Sequence, residues 1–391
     1  VRPPLSHPVP ARRLALFGST GSIGRNALRV VDALSPRFSV AVLAAWRSTD
    51  ELAAQAARYE PKFVAVGDPS REAALRAALP PGFRGEVLSG PEALASLAGH
   101  AATDVVLNAV TGAAGLPVSL AAVRAGKRLA LANKESLVAA GPVVMAAARA
   151  SGADIVPVDS EHSALFQCLQ AGKRHEVKRL ILTGSGGPFR TRPRETFAAV
   201  TRDEALKHPT WSMGPKITID SATMMNKALE IVEARWLFDA APGEIEVVVH
   251  PQSIVHSMVL FRDGTVIAQM SKPDMRTAIQ YALTYPERLV SDVPTYDVPS
   301  FRALNFEEPD FEKFPSLALG LRAAADDGLM GAVLNAANET AVELFLAGTI
   351  SFPEIFRRVA RAVETTPMTK NPELQDVLAA DRRARAEAAV A

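Results

Sequence analysis

Over the first 160 residues, short apolar runs alternate with stretches whose apolar positions recur at helical spacing. Leu14–Phe17, Val40–Ala45, Phe63–Val66, Val105–Val110, Leu129–Ala132 and Ile155–Val158 have the length and uniform apolarity of strands buried on both faces. The Ala-rich stretches between them, such as Asn26–Leu34 and Val118–Ala125, read as amphipathic helices, with Pro117 suited to the first turn of the second. Strands alternating with helices predict right-handed crossovers and a Rossmann-like parallel sheet. Ligands of such sheets sit beyond the carboxyl ends of the strands. The segments there are unusually polar: Gly18-Ser-Thr-Gly21, Trp46-Arg47-Ser48, Asn133-Lys134-Glu135 and Asp159-Ser160-Glu161-His162.

The pattern then changes. Leu180–Thr183 reads as a strand running into a Gly184–Pro188 loop, and Ser221–Phe238 reads as one long helix. Glu246–His250, Ile254–Phe261 and Thr265–Met270 read as strands, with a hairpin at Asp263-Gly264. An α+β middle domain follows, whose sheet offers a surface for homodimerisation. From about Phe314 the spacing is helical throughout: Ser316–Asp326, Gly331–Ala347, Phe352–Thr365 and Leu374–Ala389 predict a C-terminal helical bundle acting as a structural cap. The expected division is 1–158, dinucleotide binding; 159–313, catalytic; and 314–391, helical. Val1–Pro10, with four prolines, reads as a flexible leader.

Composition narrows the function classes. Apolar residues make up 48% of the 391 residues, ample for a packed core, and 43 basic residues nearly cancel 42 acidic ones. Such a balance exerts no general pull on nucleic acid or an anionic membrane, so attraction for phosphate must come from local clusters. No apolar run reaches the roughly 18 residues a membrane helix needs. Cys168 is the single cysteine. It reads as a packed core thiol, and the absence of any intrachain disulfide suits a reducing cytoplasm.

Five features carry chemistry. Gly18-Ser-Thr-Gly21-Ser-Ile-Gly24 follows a strand and opens a helix, where glycines and free N–H groups accommodate a pyrophosphate, although the spacing is G-x-x-G-x-x-G. At the end of the second strand, where an NAD site places an acidic residue, Arg47 and Ser48 suit a 2′-phosphate and point to NADP(H); Asp50 stands close by. Asp159 and Glu161, two apart, would face one way in extended chain, though two such carboxylates also serve as a helix cap. Asn226, Lys227 and Glu230 share a helical face, with Glu233 one turn on. Asp159, Glu161 and Glu230 together offer three hard oxygen ligands for Mg²⁺ or Mn²⁺. Ser185, Ser221, Asn226 and Lys227 form a phosphate-friendly set. His208–Pro215, Pro-flanked and carrying Trp211 and Met213, reads as a lid over substrate or as a packed surface loop. Of the histidines beside strands, His162, His250 and His256, His162 ranks first because it follows the acidic cluster.

Taken together these strings resemble the 1-deoxy-D-xylulose 5-phosphate reductoisomerase family. The matching segments are Gly18–Gly24, Leu131-Ala-Asn-Lys-Glu-Ser136, Pro157-Val-Asp-Ser-Glu-His162 and Leu182–Phe189. They continue with His208-Pro-Thr-Trp-Ser-Met-Gly214, Asp220-Ser-Ala-Thr-Met-Met-Asn-Lys227, His250-Pro-Gln-Ser253 and Leu334-Asn-Ala-Ala-Asn-Glu339. The resemblance implies rearrangement of a phosphorylated ketose and its reduction by NADPH to 2-C-methyl-D-erythritol 4-phosphate, an isoprenoid precursor step outside the mevalonate route. It implies a divalent cation (Mn²⁺, Mg²⁺ or Co²⁺), a homodimer and a cytoplasmic enzyme with no nucleic-acid or membrane partner. Thr20, Gly21, Ser22, Ile23, Arg47, Ser48, Asn133, Glu135 and Gly214 fall at cofactor positions. Asp159, Glu161 and Glu230 fall at metal ligands. Ser160, Glu161, Ser185, His208, Ser221, Asn226, Lys227 and Glu230 fall at substrate contacts, with Lys134 and Glu161 as proton-transfer candidates and Trp211 and Met213 on the lid. The sequence departs from the family at Trp46, where a small residue is usual, and at Pro215, where a basic one is common. Two other readings stand beside it. A dehydrogenase without isomerisation, of the semialdehyde type, would need a cysteine nucleophile. A non-catalytic nucleotide-binding regulator would not need three convergent carboxylates.

Overall fold

The structure, a computed structural model, describes residues 11–211, 213–295, 302–367 and 369–390; the expected Val1–Pro10 leader lies outside them. The chain begins β1 (Arg12–Phe17), α1 (Ser22–Ala33), β2 (Phe38–Ala45), α2 (Thr49–Tyr59), β3 (Phe63–Val66), α3 (Glu72–Ala78) and β4 (Glu86–Ser89). It continues through α4 (Pro91–Gly99), β5 (Val105–Asn108), α5 (Leu116–Arg124), β6 (Arg128–Leu131), α6 (Glu135–Ser151) and β7 (Ile155–Pro157). These strands form one parallel sheet of order β4-β3-β2-β1-β5-β6-β7. All six expected strands are present. The seventh, β4, is an edge strand with only half-buried or exposed residues, so its sequence Glu-Val-Leu-Ser lacks the apolar run that marks the others.

The strand order reverses at β1, which pairs with β2 on one side and β5 on the other. That reversal opens a crevice at the carboxyl ends of β1 and β5, where Gly18 begins its turn. Both faces of the sheet are covered. Ala27, Leu28 and Val31 of α1 pack on one, and Leu120, Leu137 and Val144 of α5 and α6 on the other.

The remaining elements are α7 (Ser160–Cys168), β8 (Val177–Gly184), α8 (Arg202–Ala205), α9 (Pro215–Ala222), α10 (Met225–Leu237), β9 (Ile245–Val249), β10 (Val255–Phe261), β11 (Val266–Met270) and α11 (Met275–Thr284). Then come α12 (Ser316–Ala325), α13 (Met330–Leu346), α14 (Phe352–Glu364) and α15 (Leu374–Val390). The second sheet has the order β11-β10-β8-β9, parallel only between β8 and β9. Its inner face shares one continuous apolar core with α10 and the C-terminal helices, through Leu180, Val259, Leu229, Leu317 and Phe352. Gly320 allows α12 to lie against α10: a Cβ there would stand 2.6 Å from the Ala228 Cα. Ile279 and Leu283 of α11 return to the core under the parallel sheet.

Two sequence expectations are corrected. The long helix expected over Ser221–Phe238 is two helices, α9 and α10, broken where Met224 adopts a left-handed φ of 55°. Ser221 therefore sits in the last turn of α9, not at a helix start. Asp159 and Glu161 do not converge along an extended strand. Asp159 is the N-cap of α7, its carboxylate accepting from the Glu161 backbone N–H at 3.2 Å, and Glu161 lies in the first turn. The capping chemistry of Asp outweighs strand continuation here.

Candidate active site

The glycine turn after β1 is built by steric necessity. Gly18 has a φ of 81°, and a Cβ there would stand 2.4 Å from the Ala109 carbonyl oxygen. The turn delivers Gly21 and Ser22 to the N-terminus of α1, where no side chain caps the helix and no acidic residue occupies the first turn. Exposed N–H groups and the positive end of the helix dipole are thus free to meet an anion. At the end of β2, Arg47 is 73% exposed and held 2.9 Å from Asp68, while Asp50 turns into the start of α2. Trp46 lies against Gly67, where a Cβ would be 2.1 Å from the indole. The bulky residue is thereby accommodated beside Arg47 by a glycine on the next strand's exit.

Across the crevice, the Asn133 amide donates to the carbonyls of Val110 (2.7 Å) and Gly112 (2.8 Å) and to Glu135 Oε2 (3.0 Å). Lys134 points the other way, into the acidic cluster. Its Nζ pairs with Asp159, lies 3.1 Å from Glu230 Oε1 and donates to Asn226 Oδ1 at 3.0 Å. Lys227 Nζ is 2.9 Å from Glu161 Oε1 and also pairs with Glu230. Asn226 donates to Glu230 Oε1 at 2.5 Å, and Ser160 Oγ to Glu161 Oε2 at 2.6 Å. Three carboxylates and two ammonium groups, from the N-terminal ends of α6 and α7 and from α10, thus occupy one largely buried cluster. Burial alone would lower the pKa of Lys134, but the charges of Asp159 and Glu230 outweigh it and hold the ammonium well above the usual lysine range. Burial and the neighbouring Glu161 raise Glu230.

Behind the cluster, His162 Nδ1 lies 3.3 Å from both Asp159 Oδ1 and Glu233 Oε2, and its Nε2 is 3.0 Å from the Glu230 carbonyl oxygen. Burial pushes the Glu233 carboxyl up to about 8. For His162, burial opposes charging, but Glu233 and Asp159 prevail and bring it to about 9. Single ligand atoms of Asp159, His162 and Glu230 lie within 4.8 Å of one another. Glu161 is nonetheless better placed as a candidate third ligand. It lines the open cavity, whereas the His162 ring is fully buried and directed at Glu233. Hard carboxylate oxygens lining an open cavity fit a divalent metal ion.

Ser185 follows β8. Its hydroxyl accepts from the Gly187 N–H at 3.2 Å and lies 3.1 Å from His208 Nε2. His208 Nδ1 accepts from the backbone N–H groups of Thr210 (3.1 Å) and Trp211 (2.9 Å), so in its neutral form Nε2 carries the proton and donates to Ser185. Burial lowers the His208 pKa and favours that neutral form. Trp211 approaches His256, ring centroids 6.4 Å apart, and Gly214 caps α9 with Pro215 in its first turn. Ser221 and Asn226 face the same space.

A single cavity of about 410 Å³ is lined by Ser22 and Ile23 at one end, by Asp159, Glu161 and Glu230 in the middle, and by Ser185, His208 and Met213 beyond. Arg47 and Ser48 lie outside its walls. A larger, open groove of about 870 Å³ lined by Arg124, Trp236 and Leu374 holds none of the candidate residues. The cavity also recruits Lys216, Asp220 and Met275, which the sequence did not single out. Asp220 stood in a quoted string, but Lys216 and Met275 carry no local signal: only the tertiary fold brings them there.

The family model described as 1-deoxy-D-xylulose 5-phosphate reductoisomerase matches residues 14–141, and its C-terminal domain model matches 155–238. A further model, the DXP reductoisomerase C-terminal domain, matches 270–387. A 1-deoxy-D-xylulose 5-phosphate reductoisomerase of Symbiobacterium thermophilum is 52% identical over 375 residues, covering 95% of this chain and 96% of the relative. One from Paraburkholderia xenovorans is 50% identical over 381 residues, covering 97% and 95%. Among solved structures, the reductoisomerase from Zymomonas mobilis in complex with NADPH superposes with a TM-score of 0.90 at 42% identity, covering 97% of this chain and 98% of that one. A DOX-P reductoisomerase in complex with NADPH, fosmidomycin and magnesium gives 0.92 at 40% identity, covering 96% and 97%.

Proposed function

The chain belongs to the 1-deoxy-D-xylulose 5-phosphate reductoisomerase family, and from that premise we propose which of its residues carry the reaction. It is an NADPH- and divalent-cation-dependent enzyme that converts 1-deoxy-D-xylulose 5-phosphate to 2-C-methyl-D-erythritol 4-phosphate. The observation that carries the residue assignment is the single cavity joining the α1 N-terminus to the three carboxylates.

Asp159, Glu161 and Glu230 would hold the cation, Mg²⁺, Mn²⁺ or Co²⁺. When bound, the cation stabilises negative charge on substrate oxygens, and the nicotinamide supplies reducing equivalents. The chain's own side chains do the rest. Thr20, Gly21, Ser22 and Ile23 present backbone N–H groups and a hydroxyl to the pyrophosphate. Arg47 and Ser48 receive the 2′-phosphate, and Asn133, Glu135 and Gly214 frame the nicotinamide end. Ser185, Ser221, Asn226 and Lys227 grip the substrate phosphate, with His208 donating through the arrangement that fixes Ser185. Ser160 and Glu230 orient the sugar oxygens.

Lys134 Nζ, kept charged by Asp159 and Glu230, stabilises an oxygen that gains negative charge. Glu161, with Ser160 on Oε2, accepts the hydroxyl proton released beside it. Trp211 and Met213 cover the cavity, exclude water and hold the fragments for recombination.

Two copies meet through the second sheet: β11 forms its edge, and Val266 and Met270 are exposed there. The protein acts in the cytoplasm, a reading supported by its lone buried thiol. No helix among the described residues is long and apolar enough to cross a membrane.

The test follows NADPH absorbance with purified protein, 1-deoxy-D-xylulose 5-phosphate and Mn²⁺, and identifies the product. Oxidation that yields the branched polyol phosphate in the parent and is lost in variants of Lys134 and Glu161 supports the assignment. An unbranched product points to a dehydrogenase without rearrangement, and unchanged turnover in both variants overturns their roles.

A further inference from the structure

Lys216 stands in the first turn of α9, two residues past Gly214. Its ammonium is 2.7 Å from Asp220 Oδ2 and 3.2 Å from Glu135 Oε1. Asp220 is 1% exposed, so its carboxylate requires compensation. Burial would lower the Lys216 pKa, but Asp220 and Glu135 outweigh it and keep the ammonium charged.

Each of these carboxylates is anchored in a different part of the molecule. Glu135 Oε2 accepts from Asn133, whose amide also holds the Val110 and Gly112 carbonyls in the loop after β5. Asp220 Oδ1 accepts from Asn338 Nδ2 in α13 at 2.8 Å. The next residue, Glu339, accepts from the Ala113 N–H at 3.0 Å and pairs with Arg385 at 2.5 Å. Lys216 therefore closes a ring of polar contacts through the loop after β5, the base of the lid and the helical bundle. The bundle thereby reaches the cavity's cofactor side as well as capping the core.

We propose that Lys216 is a positioning residue that couples occupancy of the dinucleotide site to seating of the 208–214 lid. The proposal rests on the reading above of Glu135 as a cofactor neighbour and of 208–214 as a lid. A dinucleotide in contact with Asn133 or Glu135 alters one of the two charges that locate Lys216. Lys216 lies within the first turn that starts at Gly214, whose carbonyl accepts from the Thr218 N–H (3.1 Å) and hydroxyl (2.8 Å). A shift at Lys216 is thus carried directly into the end of the lid. Asn338 holds Asp220 still, so that the shift is taken up by the lid and not by the bundle.

The test uses the full chain with Trp46→Phe and Trp236→Phe, leaving Trp211 as the fluorescent reporter, and adds NADP⁺, which does not absorb indole emission. The parent is expected to show a saturable change in Trp211 emission. Lys216→Met abolishes most of that change and raises the substrate KM by roughly tenfold, within the usual range of coupling between sites. NADP⁺ affinity and kcat change far less, and Lys216→Arg restores the response. Should Lys216→Met fold poorly, the charge-neutral pair Lys216→Met/Asp220→Asn keeps an amide opposite Asn338 and is expected to show the same loss. A full Trp211 response in Lys216→Met or in the pair overturns the coupling and leaves Lys216 as a counter-ion for Asp220. No response in the parent overturns the lid reading and the coupling with it.

Discussion

The Lys134 ammonium lies 3.1 Å from the Glu230 carboxylate, although the two residues are 96 positions apart in the chain. The contact exists because α6, entering from the parallel sheet, packs against α10, with Lys134 at the N-cap of α6 and Glu230 in the second turn of α10. It marks the point where the cofactor side and the acidic side of the cavity become one site.

Glu230→Gln preserves the shape of this contact and removes its charge. Turnover is expected to fall by roughly 100-fold or more, the scale on which a single stabilising electrostatic group acts. NADPH affinity, measured by equilibrium titration, is expected to stay nearly unchanged, because the side chains that contact Glu230 are Lys134, Asn226, Lys227 and His162, none of them a proposed cofactor residue. Near-normal turnover at saturating metal contradicts the ligand assignment.

Arg47 is available to meet a phosphate because, among the described residues, Asp68 alone pairs with its guanidinium and most of its surface is open. Arg47→Ala is expected to raise the KM for NADPH by about tenfold or more, the loss of a charge-assisted pair, while leaving the poor use of NADH nearly unaltered. Equal efficiency of the unaltered enzyme with both cofactors refutes the 2′-phosphate role.

Most of the dinucleotide half was legible from the sequence, because six of its seven strands are largely apolar runs and its candidate residues follow strand ends. The break at Met224 was not. Nothing in Asp220–Lys227 breaks helical periodicity, and only tertiary packing requires the left-handed turn. Asp159 and Glu161 line one cavity from the N-cap and first turn of α7, not along the extended strand that their spacing suggested, since an N-cap and an extended strand both place Asp next to a polar pair. His162 and Glu233 illustrate a further limit: their contact joins α7 to α10 and leaves no trace in local spacing.

His256 is buried, with Nε2 3.1 Å from the Ser271 carbonyl oxygen, and burial holds its pKa below the usual value. Its folded-state pKa is therefore depressed relative to the unfolded chain, which titrates near about 6.5. The folded protein binds fewer protons, so this contribution to stability is present above about pH 6.5 and is lost as pH falls through the folded pKa. Urea midpoints measured from about pH 7.5 to about 5.5 are expected to fall less in His256→Gln than in the parent. An identical slope in both contradicts the assignment.

Cys168 is buried, and burial pushes its thiol up to about 11. Alkylation by iodoacetamide at neutral pH is expected to be slow in the native protein and rapid after denaturation. Fast native labelling would revive the cysteine-dependent dehydrogenase reading.

Gly320 lies against the Ala228 backbone, so Gly320→Val forces α12 away from α10. A loss of about 1–3 kcal/mol in unfolding free energy is expected, the usual cost of overpacking a tight contact, read by urea denaturation. An unchanged midpoint contradicts the packing described.

The claim that Asp159, Glu161 and Glu230 form the metal site is tested most directly by titrating Mn²⁺ into the purified protein and recording free Mn²⁺ by electron paramagnetic resonance, with no substrate present. Saturable binding is expected in the parent, weakened by at least about tenfold in each of Asp159→Asn, Glu161→Gln and Glu230→Gln. Binding of equal strength in the parent and all three variants would contradict the account.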